Sequence, residues 1–204
     1  MYTLYLIPGA CSLAVQIMLR ELGQEFTLVN QQQAENFAMI NPSNMVPTLV
    51  KDEIVLTEGA AIMLHLLRTH SSQLWPVDTK QQQQIIEDLM FANATIHPAY
   101  GRLFFAKQII MDDSERQIFM NEAAKCINKL WQVVSLRLQQ REGHGPFLGG
   151  LQPNVADILL AVYARWGAYF YVDISIPDNV HVMLESVMSR ESFKAALDAE
   201  QALL

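Results

Sequence analysis

Over its first thirty residues the chain changes hydrophobic period twice, and this constrains the fold more than any other feature. Tyr2 to Ile7 is a short apolar run closed by Pro8-Gly9, the pattern of a strand covered on both faces. After that turn Val15, Met18, Leu19 and Leu22 recur at helical spacing. Gln16, Arg20 and Gln24 fall on the opposite face, so a helix is expected from Ser12 to Leu22, stopped by Gly23. Phe26 to Val29 reads as a second strand. The result is a β-α-β unit, whose crossover should be right-handed.

The next stretch, Asn30 to Asn44, is polar and glutamine-rich. It has room for one short helix around Glu35 to Ile40, and Asn41-Pro42-Ser43-Asn44 supplies turn chemistry. Pro47 to Lys51 and Ile54 to Leu56 flank Asp52-Glu53 and read as a hairpin. Thr57 stands where an N-cap belongs, ahead of Ala61, Met63, Leu64 and Leu67. The order is β-α-β-(α)-β-β-α.

From Asp78 onward the strand period disappears. The expected division is an α/β domain over residues 1–72 and an all-helical domain over 79–204, joined by the segment from Ser71 to Asp78. Ile85, Leu89, Ala92 and Ile96 form one helical stripe, in which Pro98 should produce a kink near His97. Phe119, Ala123, Ile127, Leu130, Val134 and Leu138 form a longer stripe ended by Gly143. A further helix opens at Asn154, with Asp157 placed to complete a capping box.

Charge and cysteine content narrow the function. A net charge of -7 disfavours nucleic acid or an anionic membrane surface as partner, and no basic run is long enough to offset it. The apolar N-terminal run has no positive flank and is broken by Pro8-Gly9, so no export signal is expected, and no apolar segment is long enough to span a bilayer. The chain has 2 cysteines, too few for a disulfide framework, so a reducing cytoplasm is the expected compartment.

Three places could carry chemistry. Cys11 follows a strand and a Pro-Gly turn at the first turn of a helix, where unpaired N–H groups favour a thiolate; a small packed cysteine fits the same position. There is no second cysteine nearby, so any partner thiol must come from outside. Val46-Pro47 leads into a strand. A cis bond there would free the Val46 backbone to pair with an extended peptide, although a trans proline is the commoner reading of those residues alone. At Thr57-Glu58-Gly59 a helix start could hold a carboxylate with Glu58 beside it for an ammonium group; a plain helix cap reads the same way. Cys126, beside the long stripe, reads as an inert core thiol.

In order and approximate spacing, "PGACSLAVQIMLRELG", "NPSNMVPTLV" and "LTEGAAIMLHLL", with "IHPAYGRLF" and "NVADILLAVYARW" further on, resemble the glutathione transferases, most closely the bacterial beta class. The resemblance covers nearly the whole chain. It implies a thioredoxin-like N-terminal domain, an all-α C-terminal domain and a two-fold homodimer. By the same resemblance, Cys11 faces the glutathione sulfur. Met45, Val46 and Pro47, the last in cis, line the tripeptide, and Glu58 with the Gly59 N–H holds its γ-glutamyl end. His97 lines a cleft near the cosubstrate. Asn154 and Asp157 are structural. Two departures stand out: the segment before Asn41 is short and lacks a basic residue common there, and Met45 replaces a frequent glutamine. Both imply weaker glutathione binding.

The implied activity is conjugation of glutathione, as cosubstrate and without a metal, to small hydrophobic electrophiles, with thiol-disulfide exchange through Cys11 as an added capability. The rivals are a glutathione-dependent thiol oxidoreductase or isomerase, and a non-enzymatic adaptor that keeps the fold. Cys11, Val46-Pro47 and Glu58 occurring together argue against the adaptor.

Overall fold

The computed structural model describes residues 1–141 and 145–204. Contacts divide these residues into two compact units, Met1–Gln82 with Met188–Leu204, and Gln83–Val187.

The first unit is built on four strands: β1 (Tyr2–Leu6), β2 (Phe26–Asn30), β3 (Thr48–Lys51) and β4 (Ile54–Leu56), in the order β2-β1-β3-β4. Strand β1 pairs in parallel with β2, Tyr2 opposite Phe26, and antiparallel with β3, Leu4 opposite Leu49. The expected hairpin joins β3 to β4, with Leu49 opposite Leu56. Buried Tyr2, Leu4, Leu6 and Leu49 anchor the sheet in the core.

Helix α1 (Ser12–Glu21) is the crossover between β1 and β2. Every residue from Ser12 to Leu19 is buried, so Gln16 is not on a solvated face as its spacing suggested. The cause lies far away in sequence: α9 (Glu191–Gln201), the last helix, packs against α1. Arg190 donates from Nε and Nη2 to the two Glu21 carboxylate oxygens at 2.8 and 2.7 Å, the bidentate geometry that guanidinium and carboxylate share. The polar stretch after β2 forms a single 3₁₀ turn at Gln31–Gln33, capped by the Asn30 side chain, and the short α2 (Phe37–Ile40). Helix α3 (Gly59–Thr69) closes the α/β pattern.

Helix α4 (Thr79–Phe91) leads into the second unit, whose further helices are α5 (His97–Ile109), α6 (Asp113–Gln140), α7 (Val155–Ala164) and α8 (Asp178–Met188). The Ile85, Leu89, Ala92, Ile96 stripe is buried throughout. At Pro98 the helix widens into a π turn over Ala92–Ile96, because proline has no N–H to donate and its ring crowds the carbonyl four residues back. On α6 the buried face runs through Met120, Ala123, Ile127, Trp131 and Val134. Phe119, expected on that stripe, is 42% exposed. Cys126 is exposed as well, not a core thiol, since it lies one position off the buried stripe. Gly143, expected to end this helix, lies outside the described residues. Trp131 Nε1 donates to Tyr100 Oη at 3.0 Å, which satisfies the polar tips of two fully buried aromatics. Among the described residues no helix is long and apolar enough to cross a membrane.

Candidate active site

The site in the first unit starts at the turn between β1 and α1. Gly9 takes φ +82, a conformation that costs glycine little, and Ala10 N–H donates to the Ile7 carbonyl at 3.0 Å to close the turn. This places Cys11 at the N-cap of α1, but its side chain caps nothing. Instead Sγ lies 3.6 Å from the Val46 carbonyl oxygen, to which it donates.

Val46 precedes Pro47 through a cis peptide bond. The paired register of β3 with β1 begins at Thr48, so Val46 lies beyond the ladder. The loop leading to it is organised by buried Asn41. Its Nδ2 donates to the Met45 carbonyl and to Thr48 Oγ1, each at 2.9 Å, while its Oδ1 accepts from the Ser43 amide and hydroxyl. The Met45 carbonyl is thus held inward while its side chain is 66% exposed. Asn41 belonged to the turn signal in the sequence, but its role in holding this loop had no local sign. Gln31 Nε2 donates to Asn44 Oδ1 at 3.0 Å, tying the short polar segment to the same loop. Residues 31–45 contain one acid, Glu35, and no lysine or arginine.

The third element is the start of α3. Glu58, not Thr57, is its N-cap: the chain enters the helix through Glu58 at φ +65, and Ile62 N–H donates to the Glu58 carbonyl at 2.9 Å. A left-handed non-glycine residue costs about 1 kcal/mol or more, and such strain tends to cluster at functional sites. Gly59 then packs on the cis-proline, since a Cβ built on it would lie 3.4 Å from Pro47 Cγ. The sulfur of Cys11, the Val46 carbonyl, Pro47 and Gly59 therefore form one connected cluster, and Glu58 is close enough to act electrostatically on the thiol.

Burial pushes Cys11 up to about 11. The backbone N–H groups of Cys11 and Ser12 pull it down, the negative charge of Glu58 adds to the rise, and burial prevails. Position left a thiolate and a small packed thiol both open; burial favours the thiol.

His97 belongs to the second unit, directly after the π turn. Its ring stacks on Tyr163 at 5.1 Å and 13°, with Trp166 at 5.3 Å, and burial among these rings holds its pKa below the usual imidazole value. At α7, Asn154 and Asp157 form the expected capping box.

A four-stranded sheet of this order, with a cysteine at the start of its first helix and a cis-proline beside that cysteine, defines a thioredoxin-like domain, here followed by helices. The family model for the glutathione S-transferase N-terminal domain matches residues 9–74. Glutathione S-transferase GST-4.5 of Xanthomonas campestris is 30% identical over 97% of this chain and 98% of its own length. The solved glutathione S-transferase of Xylella fastidiosa superposes with a TM-score of 0.88 at 30% identity, over 98% of this chain and 99% of that one. A bacterial beta class glutathione S-transferase from Sphingomonas chungbukensis superposes at 0.80, also 30% identical, over 97% of this chain and 98% of that one. The chain belongs to the glutathione S-transferase family, most like its bacterial beta class, and is a glutathione transferase.

Proposed function

We propose that the first unit binds glutathione with its sulfur at Cys11, and that the enzyme joins that sulfur to a small apolar electrophile. The observation that carries this reading is the convergence of three separated segments through two contacts, Cys11 Sγ to Val46 O and Gly59 to Pro47. The Val46 backbone pairs with the central residue of the tripeptide in the manner of an added strand, with the exposed Met45 side chain flanking it. The Gly59 N–H at the start of α3 meets the γ-glutamyl carboxylate, and the exposed Glu58 side chain its ammonium group.

Cys11 then serves as a donor. A thiol pushed up to about 11 stays protonated at neutral pH, so on binding its S–H turns from the Val46 carbonyl to the glutathione sulfur. The glutathione thiol releases its proton to solvent. Its sulfur attacks the electrophilic carbon, and the new C–S bond forms as the leaving group departs with its bonding pair. Thiol-disulfide exchange through Cys11 needs a thiolate there, which makes it the minor path. His97, neutral and flanked by aromatic rings, is assigned to the cosubstrate. Detoxification in the cytoplasm by a two-fold homodimer fits the family.

The test is retention on immobilised glutathione together with thermal unfolding in millimolar glutathione. A ligand at a hundredfold excess over its Kd stabilises by about 2.7 kcal/mol, which raises Tm by several degrees. Retention, a raised Tm and conjugation to an activated chloroarene are expected. No retention and no shift would sink the reading.

A further inference from the structure

The proposed reaction uses nothing from the C-terminal helix, yet α9 reaches the turn that carries Cys11. Glu200, one residue before the end of α9, is 4% exposed, and its Oε2 accepts a hydrogen bond from the Gly9 N–H at 2.9 Å. Gly9 lies two residues before Cys11. The same helix is tied to the far end of α1 by Arg190 on Glu21, with Ser192 Oγ donating to Glu21 as well. Helix α9 therefore runs antiparallel along α1, fastened at both ends, with the buried Glu200 carboxyl group set against the turn.

We propose that Glu200 is a positioning residue for the reaction: by holding the Gly9 amide it fixes the Pro8-Gly9-Ala10 turn, and through it the place of the Cys11 sulfur. The inference rests on the reading that the glutathione sulfur lies at Cys11. The turn is the point where such control acts, because Cys11 makes no capping bond of its own, and besides its Sγ contact with the Val46 carbonyl its place follows from the path of the backbone before α1. A side-chain carboxyl oxygen is suited to this work, since it accepts from the Gly9 N–H at an ordinary hydrogen-bond length. Val46, Glu58 and Gly59 are on other segments that meet the turn through the contact of Cys11 Sγ with the Val46 carbonyl, so a shift of the turn should tell more on the thiol than on the hold on the tripeptide.

The experiment compares Glu200→Ala, Glu200→Gln and Glu21→Ala in the full chain, each carrying Cys126→Ser so that Cys11 is the one thiol alkylated. Glu21→Ala loosens the opposite end of α9 without touching the turn. Misplacing a reacting group by about 1 Å can cost about a hundredfold in rate. Glu200→Ala is therefore expected to lower kcat by about tenfold or more and to change the iodoacetamide rate of Cys11 several-fold, with KM for glutathione within about twofold. Glu200→Gln keeps an oxygen acceptor and should restore both within about threefold, while Glu21→Ala should lower Tm and leave kcat alone. If Glu200→Ala does not fold, Glu200→Asp, which withdraws the oxygens by one methylene, carries the same expectation. Unchanged kcat and alkylation in the Glu200 variants would overturn the proposal, as would the same kcat loss in Glu21→Ala. A wild-type chain without glutathione activity would overturn the functional reading instead, and alkylation would still report whether Glu200 places Cys11.

Discussion

At Cys11 two effects of known size oppose each other. A helix N-terminus favours an anion by about 0.3–1 kcal/mol. A shift from 9.0 to about 11 corresponds to about 3 kcal/mol in favour of the thiol, so burial decides the protonation state. In a Cys126→Ser background, alkylation of Cys11 should keep accelerating with pH up to about 11, with no plateau near neutrality. Burial does most of the raising, and Glu58→Gln removes the charge that adds to it, so the profile should move to somewhat lower pH; a plateau near pH 7 would show a thiolate instead. Gly59 makes a second test. A Cβ there meets Pro47 Cγ at 3.4 Å, an ordinary contact, so Gly59→Ala should keep glutathione retention. Gly59→Val adds two methyl groups against the proline ring, an overpacking cost of about 1–3 kcal/mol, and should lose retention on the same column.

Among the elements, α7 is where side-chain chemistry fixes a boundary most firmly. Asn154 Oδ1 accepts from Ala156 and Asp157 N–H, and the Asp157 carboxylate accepts from Asn154, Leu148 and Gly149 N–H. Asp157 is fully buried, and burial pushes it from 3.8 up to about 7 despite those donors. A raised folded-state value means that this carboxyl contributes its stability at low pH and loses it as pH rises toward 7. At about pH 4 Asp157→Asn should lower Tm, because one amide oxygen replaces two acceptors, at about 1–3 kcal/mol. The Tm gap between wild type and variant should narrow from about pH 4 to about pH 7; a gap that widens would mean the native state prefers the ionised group. This boundary was legible because a capping box is local, spanning four residues. The start of α3 was not legible in the same way. Thr57 is the better cap by residue type, but the approach of Gly59 to Pro47, twelve residues away in sequence, carries the chain into the helix one residue later, through Glu58.

For the whole molecule, what escaped the sequence is what depends on distant chain. The β-α-β unit, the hairpin and the stripe from Ile85 to Ile96 follow from nearest-neighbour periodicity, and the structure contains them. Gln16 read as solvated because periodicity reports only how a helix divides its own faces, not what covers the polar one; α9 covers it from some 180 residues further along. The first unit is therefore discontinuous in sequence and is completed by residues 188–204. A chain ending at Ser189 tests this dependence. It would lose fully buried Phe193 and Ala196, the Arg190 pair on Glu21, and Glu200 on Gly9. Burial of the phenylalanine alone contributes about 2–3 kcal/mol. With the newly bared face of α1 the loss becomes comparable to the roughly 5–15 kcal/mol that holds a domain folded. Such a chain should be cleaved by trace protease within residues 1–82 and should fail to bind immobilised glutathione, whereas a truncated chain that resists protease and is retained would show that α1 and the sheet stand without their C-terminal cover.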